Sequence, residues 1–387
     1  MSELRVGILG LGGAAGLVLP YVGRVPGIRF VGAADIRLDA RTAFTDKYGL
    51  PAYASLGELC RSDVEVIWIE TPNHLHCAHA LEAIAHGKHV ICAKPVGTTV
   101  DECSRMIEAA DKAGVQLLQG HSKVFDSPIN AMREIVASGR LGKVIQVDTW
   151  LFNNWLQRPR LAEELDATRG GGIVLRQGPH QIDILRFLAG GMATSVRAIS
   201  GRWDPNFVTD GNYSVLMEFA GGVAATAVLN GYGYFDSTEL TWGVGPLGEQ
   251  KGEQKADAAG SSAPRRTRTL DPSEKYGPAA DAAALARKRG TLMPFFGLTI
   301  VSCERGAIRQ SPEGLLVYTA AGCEKVAAPP DLGRSAELLE MKAALAEGRP
   351  VFPDGRWGLA TLEACLAIPE SSQQRRDVPL HHQVPSP

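Results

Sequence analysis

Short apolar runs alternate with longer mixed segments along the first third of the chain. Leu4–Leu9 is almost continuously apolar, the pattern of a strand covered on both faces of a parallel sheet. Similar runs recur at Arg29–Ala34, Val64–Glu70, His89–Ala93 and Val115–Gly120, with a shorter one at Ala52–Tyr53. Helices are expected between them: from the glycines after Leu9 to about Arg24, at Asp39–Tyr48, at Leu56–Arg61, up to His86, and at Val100–Ala113. Gly87 and Gly114 stand where two of these should stop. This alternation predicts an α/β doubly wound parallel sheet over residues 1–124. From Ser127 the rhythm changes. A helix to about Ser138 precedes a strand at Val144–Phe152, and a helix is expected at Pro179–Leu188. Strand-like runs follow at Thr194–Arg202, Tyr213–Phe219, Val223–Gly231, Phe296–Cys303 and Leu315–Tyr318. They predict an α+β domain with an open, largely antiparallel sheet over residues 125–370. Ala336–Ala346 reads as a late helix and 371–387 as an irregular tail. Residues 243–293, rich in Gly, Ala, Ser, Lys and Arg, read as a surface excursion able to fold over a site.

The first strand runs into Gly10-Leu11-Gly12-Gly13-Ala14-Ala15. This spacing suits a dinucleotide: Gly10 makes the turn, Gly12 admits the pyrophosphate, and Ala15 lets a helix pack close. Asp35 ends the second strand, about twenty residues on, where a carboxylate can take the ribose diol. The combination points to a Rossmann domain. Asp35 favours NAD; Arg37, two residues on, could meet a 2′-phosphate, which keeps NADP as the alternative. Thr71–His76, Lys94 and His121 also fall at the carboxyl ends of expected strands, where such sheets bind ligands.

Gly170–Asp183 carries a second constellation. Its three glycines let the backbone approach a ligand or another segment closely. Pro179 suits the first position of a helix, which would place His180 in the first turn with Asp183 on the same face. A histidine at the positive end of a helix dipole is biased toward the neutral form that a general base needs. Arg176 offers forked donors suited to a carboxylate. The competing reading is a capping histidine with a helix-entry salt bridge.

Composition narrows this further. A formal charge of −2 argues against nucleic-acid or anionic-membrane partners. The apolar stretch Val6–Val25 is broken by glycines and Pro20, which argues against a signal peptide or membrane span. Seven scattered cysteines without metal-ligand spacing indicate free thiols in a cytoplasmic protein, with no metal.

Thr71-Pro72-Asn73 with His76, Gly87-Lys88-His89-Val90, Lys94-Pro95, and Gly170–Gly172 through His180 and Asp183 resemble the glucose–fructose oxidoreductase and inositol dehydrogenase family. The resemblance implies a nicotinamide-dependent dehydrogenase whose open sheet often serves to form a homodimer or homotetramer. It implies that Lys94 and His180 are catalytic and that Thr71, Pro72, Asn73 and His76 shape the nicotinamide pocket. Two positions depart from the family. Ala93 stands where a glutamate precedes the lysine, and Arg176 where an aspartate precedes the histidine. Arg176–Gln181, Arg158-Pro159-Arg160 and Phe295–Ile300 are more narrowly similar to the phthalate dihydrodiol dehydrogenases of aromatic degradation. That resemblance implies a small carboxylated cis-dihydrodiol oxidised to its catechol. Arg176 would hold the carboxylate, with Arg158 or Arg160 as a second clamp, and His121 and Asp183 would line the site. His180 is the first choice of base, with Lys94 on the reacting oxygen. A sugar, sugar-acid or inositol dehydrogenase, or a non-catalytic nucleotide-binding sensor, are the alternatives.

Overall fold

The computed structural model describes residues 3–120, 122–251, 266–272, 274 and 289–387. The first sheet comprises β1 (Leu4–Leu9), β2 (Ile28–Ala34), β3 (Ala52–Tyr53), β4 (Val66–Ile69), β5 (His89–Ala93) and β6 (Leu117–Gly120). All pair in parallel, in the order β3-β2-β1-β4-β5-β6. The strand order reverses between β1 and β4, which opens a crevice at their carboxyl ends. The connecting helices are α1 (Leu38–Tyr48), α2 (Leu56–Cys60), α3 (His76–Ala85) and α4 (Val100–Ala113). The α4 boundaries follow local chemistry: the Thr99 side chain accepts from the Glu102 N–H, and Gly114 ends the helix in the left-handed region. The helix expected from the glycines to Arg24 does not form. Two short 3-10 turns, Ala15–Leu17 and Leu19–Tyr21, stand in its place. Five glycines and Pro20 within the fifteen residues Gly10–Arg24 deprive that stretch of helix propensity.

The second domain begins with α5 (Ser127–Ala137), β7 (Val144–Phe152), the one-turn α6 (Ala162–Leu165) and α7 (Gly172–Ala189). Next come β8 (Ala193–Gly201), β9 (Asn212–Phe219), β10 (Ala224–Asn230), β11 (Leu298–Cys303), β12 (Gly306–Ser311), β13 (Gly314–Thr319) and β14 (Gly322–Ala327). The chain closes with α8 (Ser335–Glu347), α9 (Gly355–Gln374) and β15 (Val378–Pro379). The nine strands form one sheet in the order β14-β13-β12-β11-β7-β10-β9-β8-β15. Only β7 and β10 pair in parallel. Strict alternation in β9 buries Tyr213, Val215 and Met217 under the helices and turns Leu216 outward. Trp150 and Ile199 are also exposed. No helix among the described residues is long and apolar enough to cross a membrane.

Two elements differ from expectation. α7 starts at Gly172, seven residues before Pro179, so that proline lies inside the helix. α9 fills a stretch for which no element is expected, runs through Pro369 and enters the expected tail by four residues. It is buried nearly all round, which erases the amphipathic stripe that announces a surface helix. Both late helices return to the first domain: α9 packs against α4 and β6, and Leu338 and Met341 of α8 join the core of Val6, Trp68 and Leu118.

α7 is held on two sides by buried polar residues. Gln181 donates to the Thr149 hydroxyl (2.9 Å) and accepts from the Tyr213 hydroxyl (2.6 Å), which locks the helix onto the sheet. Asp183, expected to face a substrate, points the other way, into the domain junction. Its carboxylate accepts from Gln119 Nε2 (2.9 Å), Ser122 Oγ (2.7 Å), Trp357 Nε1 (2.9 Å) and Thr361 Oγ1 (2.6 Å). Burial pushes its pKa up, and Thr361, Ser122, Arg186 and Trp357 oppose that rise. Asp183→Ala strands four buried donors and should cost about 3–5 kcal/mol in urea unfolding, with Asp183→Asn costing less. A loss below about 1 kcal/mol for the alanine variant would refute the clasp.

Candidate active site

The crevice beside β1 is built by Gly10 and Asp35. Gly10 sits at φ 91°, in the left-handed region, and its N–H donates to the Ala34 carbonyl at 2.8 Å. A Cβ there would lie 3.0 Å from the Glu70 carbonyl oxygen. At Gly13, by contrast, an added Cβ would meet nothing within 4 Å, so the turn is open on that side. The Asp35 carboxylate accepts from the Leu11 N–H (2.7 Å) and the Arg37 N–H (2.8 Å). Arg37 Nε lies 3.3 Å from the same carboxylate, and its Nη2 is 3.3 Å from the Leu11 carbonyl. Backbone N–H groups around an open turn, with a fixed carboxylate one strand away, suit the pyrophosphate and ribose of a dinucleotide. Ile36, 90% exposed at the strand end, leaves an apolar surface beside them.

The expected nicotinamide-pocket residues divide. Thr71 and Pro72 remain partly exposed at the end of β4. Asn73 Nδ2 donates to the Gly170 carbonyl at 2.7 Å, joining the two domains. His76 is fully buried, its ring nitrogens 2.8 Å from the Pro95 carbonyl and 2.9 Å from the Thr71 carbonyl. It ties two loops together behind the pocket instead of lining it.

Lys94 follows β5, and the Lys94–Pro95 peptide is cis. Its Nζ crosses the domain boundary and donates to the Arg176 carbonyl of α7 at 2.6 Å. Burial and the nearby Arg176, Arg334 and Arg160 guanidinium groups lower its pKa to about 7. Near neutral pH the amine can then exchange between its charged and neutral forms, which suits it to take or return a proton. Arg176 Nη2 lies 2.8 Å from Glu164 Oε1, and Arg160 Nη1 lies 3.9 Å from the same oxygen. The Arg160 guanidinium also stacks 4.0 Å from the Trp155 ring centroid. Two guanidinium groups share one buried carboxylate. The glycines before α7 serve this packing: a Cβ at Gly171 would lie 2.6 Å from the Glu163 carbonyl oxygen. The close approach is therefore to another chain segment. Arg158 is exposed, with Nε bonded to Asn154 Oδ1 at 3.0 Å.

His180 sits in the middle of α7, so the helix-start argument for a neutral ring does not apply. Its ring packs edge-on against Phe296, with centroids 4.7 Å apart. Lys123 Nζ lies 5.5 Å from the Phe296 centroid and 2.7 Å from Asp126 Oδ2. His121 and most of 243–293 lie outside the described residues. No group of three or more His, Cys, Asp or Glu residues that could hold a metal occurs among those described. Sequence reasoning missed Glu164, Arg334 and Lys123. Glu164 accepts from the Leu161 N–H (3.0 Å), a helix-start contact whose usual signal, a polar residue at the preceding cap, is absent.

A family model described as an oxidoreductase family with an NAD-binding Rossmann fold matches residues 4–121. A second, described as a GFO/IDH/MocA C-terminal domain, matches 129–241. The chain is 34% identical over 384 residues to the 1-carboxy-3-chloro-3,4-dihydroxycyclohexa-1,5-diene dehydrogenase of Comamonas testosteroni, spanning 96% of this chain and 95% of that protein. It is 29% identical over 254 residues to the inositol 2-dehydrogenase of Rubrobacter xylanophilus, spanning 62% and 69% respectively. A crystal structure from Bordetella bronchiseptica RB50, named as a dehydrogenase, superposes with a TM-score of 0.88 at 35% identity, over 97% of this chain and 100% of that one.

Asp35→Ala should weaken NAD⁺ binding about tenfold, roughly 1.4 kcal/mol, while NADP⁺ binding falls less, because Arg37 is released. Titration of intrinsic fluorescence measures both, and equal losses would contradict the assignment of Asp35 to the ribose.

Proposed function

The chain belongs to the GFO/IDH/MocA family of NAD-binding oxidoreductases, and from that premise we propose that it oxidises a carboxylated cis-dihydrodiol to the corresponding catechol. The observation that carries this reading is the Arg176–Glu164–Arg160 cluster beside Lys94. Its paired guanidinium groups offer forked donors that suit a substrate carboxylate, for which a neutral polyol has no counterpart. NAD, when bound in the Gly10–Asp35 crevice, supplies the hydride acceptor. The substrate carboxylate lies against Arg176, with Arg160 behind it. This fixes the ring so that one carbinol carbon faces the cofactor crevice and its hydroxyl faces Lys94. As the C–H bond breaks, the neutral Lys94 amine takes the hydroxyl proton and becomes an ammonium. The Arg176 carbonyl accepts from that ammonium. His180 serves as the second hydrogen-bonding group at the reacting oxygen. The first base choice thus moves from His180 to Lys94, because the helix places His180 away from any dipole end while Lys94 is tuned to about 7. The hydroxyketone then tautomerises to the aromatic catechol, which draws the oxidation forward.

The likeness to an inositol 2-dehydrogenase favours a second reading, a sugar-acid or inositol dehydrogenase using the same lysine and histidine. It leaves Arg176 without a purpose unless the sugar is acidic. The outward Trp150, Leu216 and Ile199 of the open sheet support assembly as a homodimer or homotetramer.

NADH formation with a carboxylated cis-dihydrodiol, beside myo-inositol, tests the substrate class. Turnover of inositol alone would discard it. Arg176→Ala should raise KM for the carboxylated diol about 30- to 100-fold with kcat changed less than about threefold, since a charge-assisted pair contributes about 2–3 kcal/mol. Lys94→Met should lower kcat by about 10²–10⁴.

A further inference from the structure

Ala93 beside the lysine is apolar and almost fully buried, so it offers the amine no acceptor. The acceptor comes from the other domain and is a main-chain group. Two side-chain donors converge on the Arg176 carbonyl: Lys94 Nζ at 2.6 Å and Gln177 Nε2 at 3.1 Å. Neither belongs to the helical ladder, yet Arg176 lies within α7. Pro179 lies three residues further on inside the helix; it has no N–H for the Leu175 carbonyl, and a proline ring crowds the turn that precedes it. A carbonyl has two lone pairs, so one beside such a turn can accept from side chains. The helix itself is held on both sides by Gln181 and Asp183.

We propose that the Arg176 carbonyl, turned outward at the Pro179 interruption of α7, is the group that positions the Lys94 amine, and that Pro179 and Gln177 are positioning residues for the base. The inference rests on Lys94 being the base but adds how it is aimed. A neutral acceptor orients the amine without the strong stabilisation of the ammonium that a carboxylate would bring, so orientation is compatible with a lysine that gives up its proton near neutrality. It also makes the base depend on the domain junction, because donor and acceptor come from different domains.

Among the described residues, the charged and titratable groups that act on the amine are Arg160, Arg176, Arg334 and the Cys365 thiol. Burial pushes the thiol far above neutrality, and the three guanidinium groups keep their charge there. His180 is separated from Lys94 by a Lys94→Met control. Carbonyl-labelled arginine with amide-labelled glutamine isolates the Arg176–Gln177 and Arg309–Gln310 peptides by NMR, and Gln310→Glu identifies the second. In the NADH complex without substrate, the Arg176 carbonyl signal should titrate near neutrality, and Lys94→Met should abolish that titration. A flat signal, or one that titrates equally in Lys94→Met, overturns the proposal. Pro179→Ala restores an N–H for Leu175 and should lower kcat about 10- to 100-fold, with KM within about twofold and no loss of thermal stability. A kcat within about twofold of wild type overturns it. The base reading fails separately: full turnover by Lys94→Met removes it while leaving the carbonyl titration as a test of the contact.

Discussion

A single buried carboxylate organises the junction on which the site depends. Asp183 gathers donors from β6, from the segment after it, and from two turns of α9. A carboxylate in so dry a position is tolerable only when its lone pairs are all engaged, so the partners are fixed together. Arg186, one turn on, extends the lock by donating to the Thr361 hydroxyl (2.9 Å) while its guanidinium lies 3.9 Å from the Trp357 ring centroid. The result is a helix that can neither rotate nor slide between the two domains. Arg176 and His180 inherit their positions from it, and Lys94 is aimed at it from across the boundary.

The electrostatics of the site follow from economy of charge. The same guanidinium groups that suit a carboxylate also depress the Lys94 pKa. Under the proposed reading these roles are coupled: a bound carboxylate would offset part of the positive field and favour the ammonium that forms as Lys94 takes the proton, whereas a neutral polyol would leave the field unchanged. Glu164 moderates this arrangement by fixing both arginines without cancelling them.

Much of the first domain was legible because its signals are local. Apolar runs between helices give the strands, and the glycine turn with Asp35 gives the cofactor crevice. Lys94 was legible from its strand end. The rest depends on contacts distant in sequence. Pro179 is equally at home in a first helical turn, yet the helix starts seven residues earlier, just after Gly171 packs against the Glu163 carbonyl. α9 is hidden because burial on every side removes its periodicity. Asp183 and His76 carry the polarity of site residues, but their partners, from Trp357 and Thr361 to the Pro95 carbonyl, make them structural. Glu164 has no sequence neighbour that points to Arg176, twelve positions away.

Under the proposed reading, Lys94 works as a base because burial and the surrounding guanidinium groups bring its pKa down to about 7. The most direct measurement is the pH dependence of kcat/KM for oxidation of a carboxylated cis-dihydrodiol. A base must be unprotonated to act, so the rate should rise through a midpoint near 7 and then level off. Lys94→Arg, which cannot release its proton, should retain only a residual rate without that limb. A wild-type midpoint near 10, where an ordinary lysine titrates, or a limb that survives Lys94→Arg, would contradict the account.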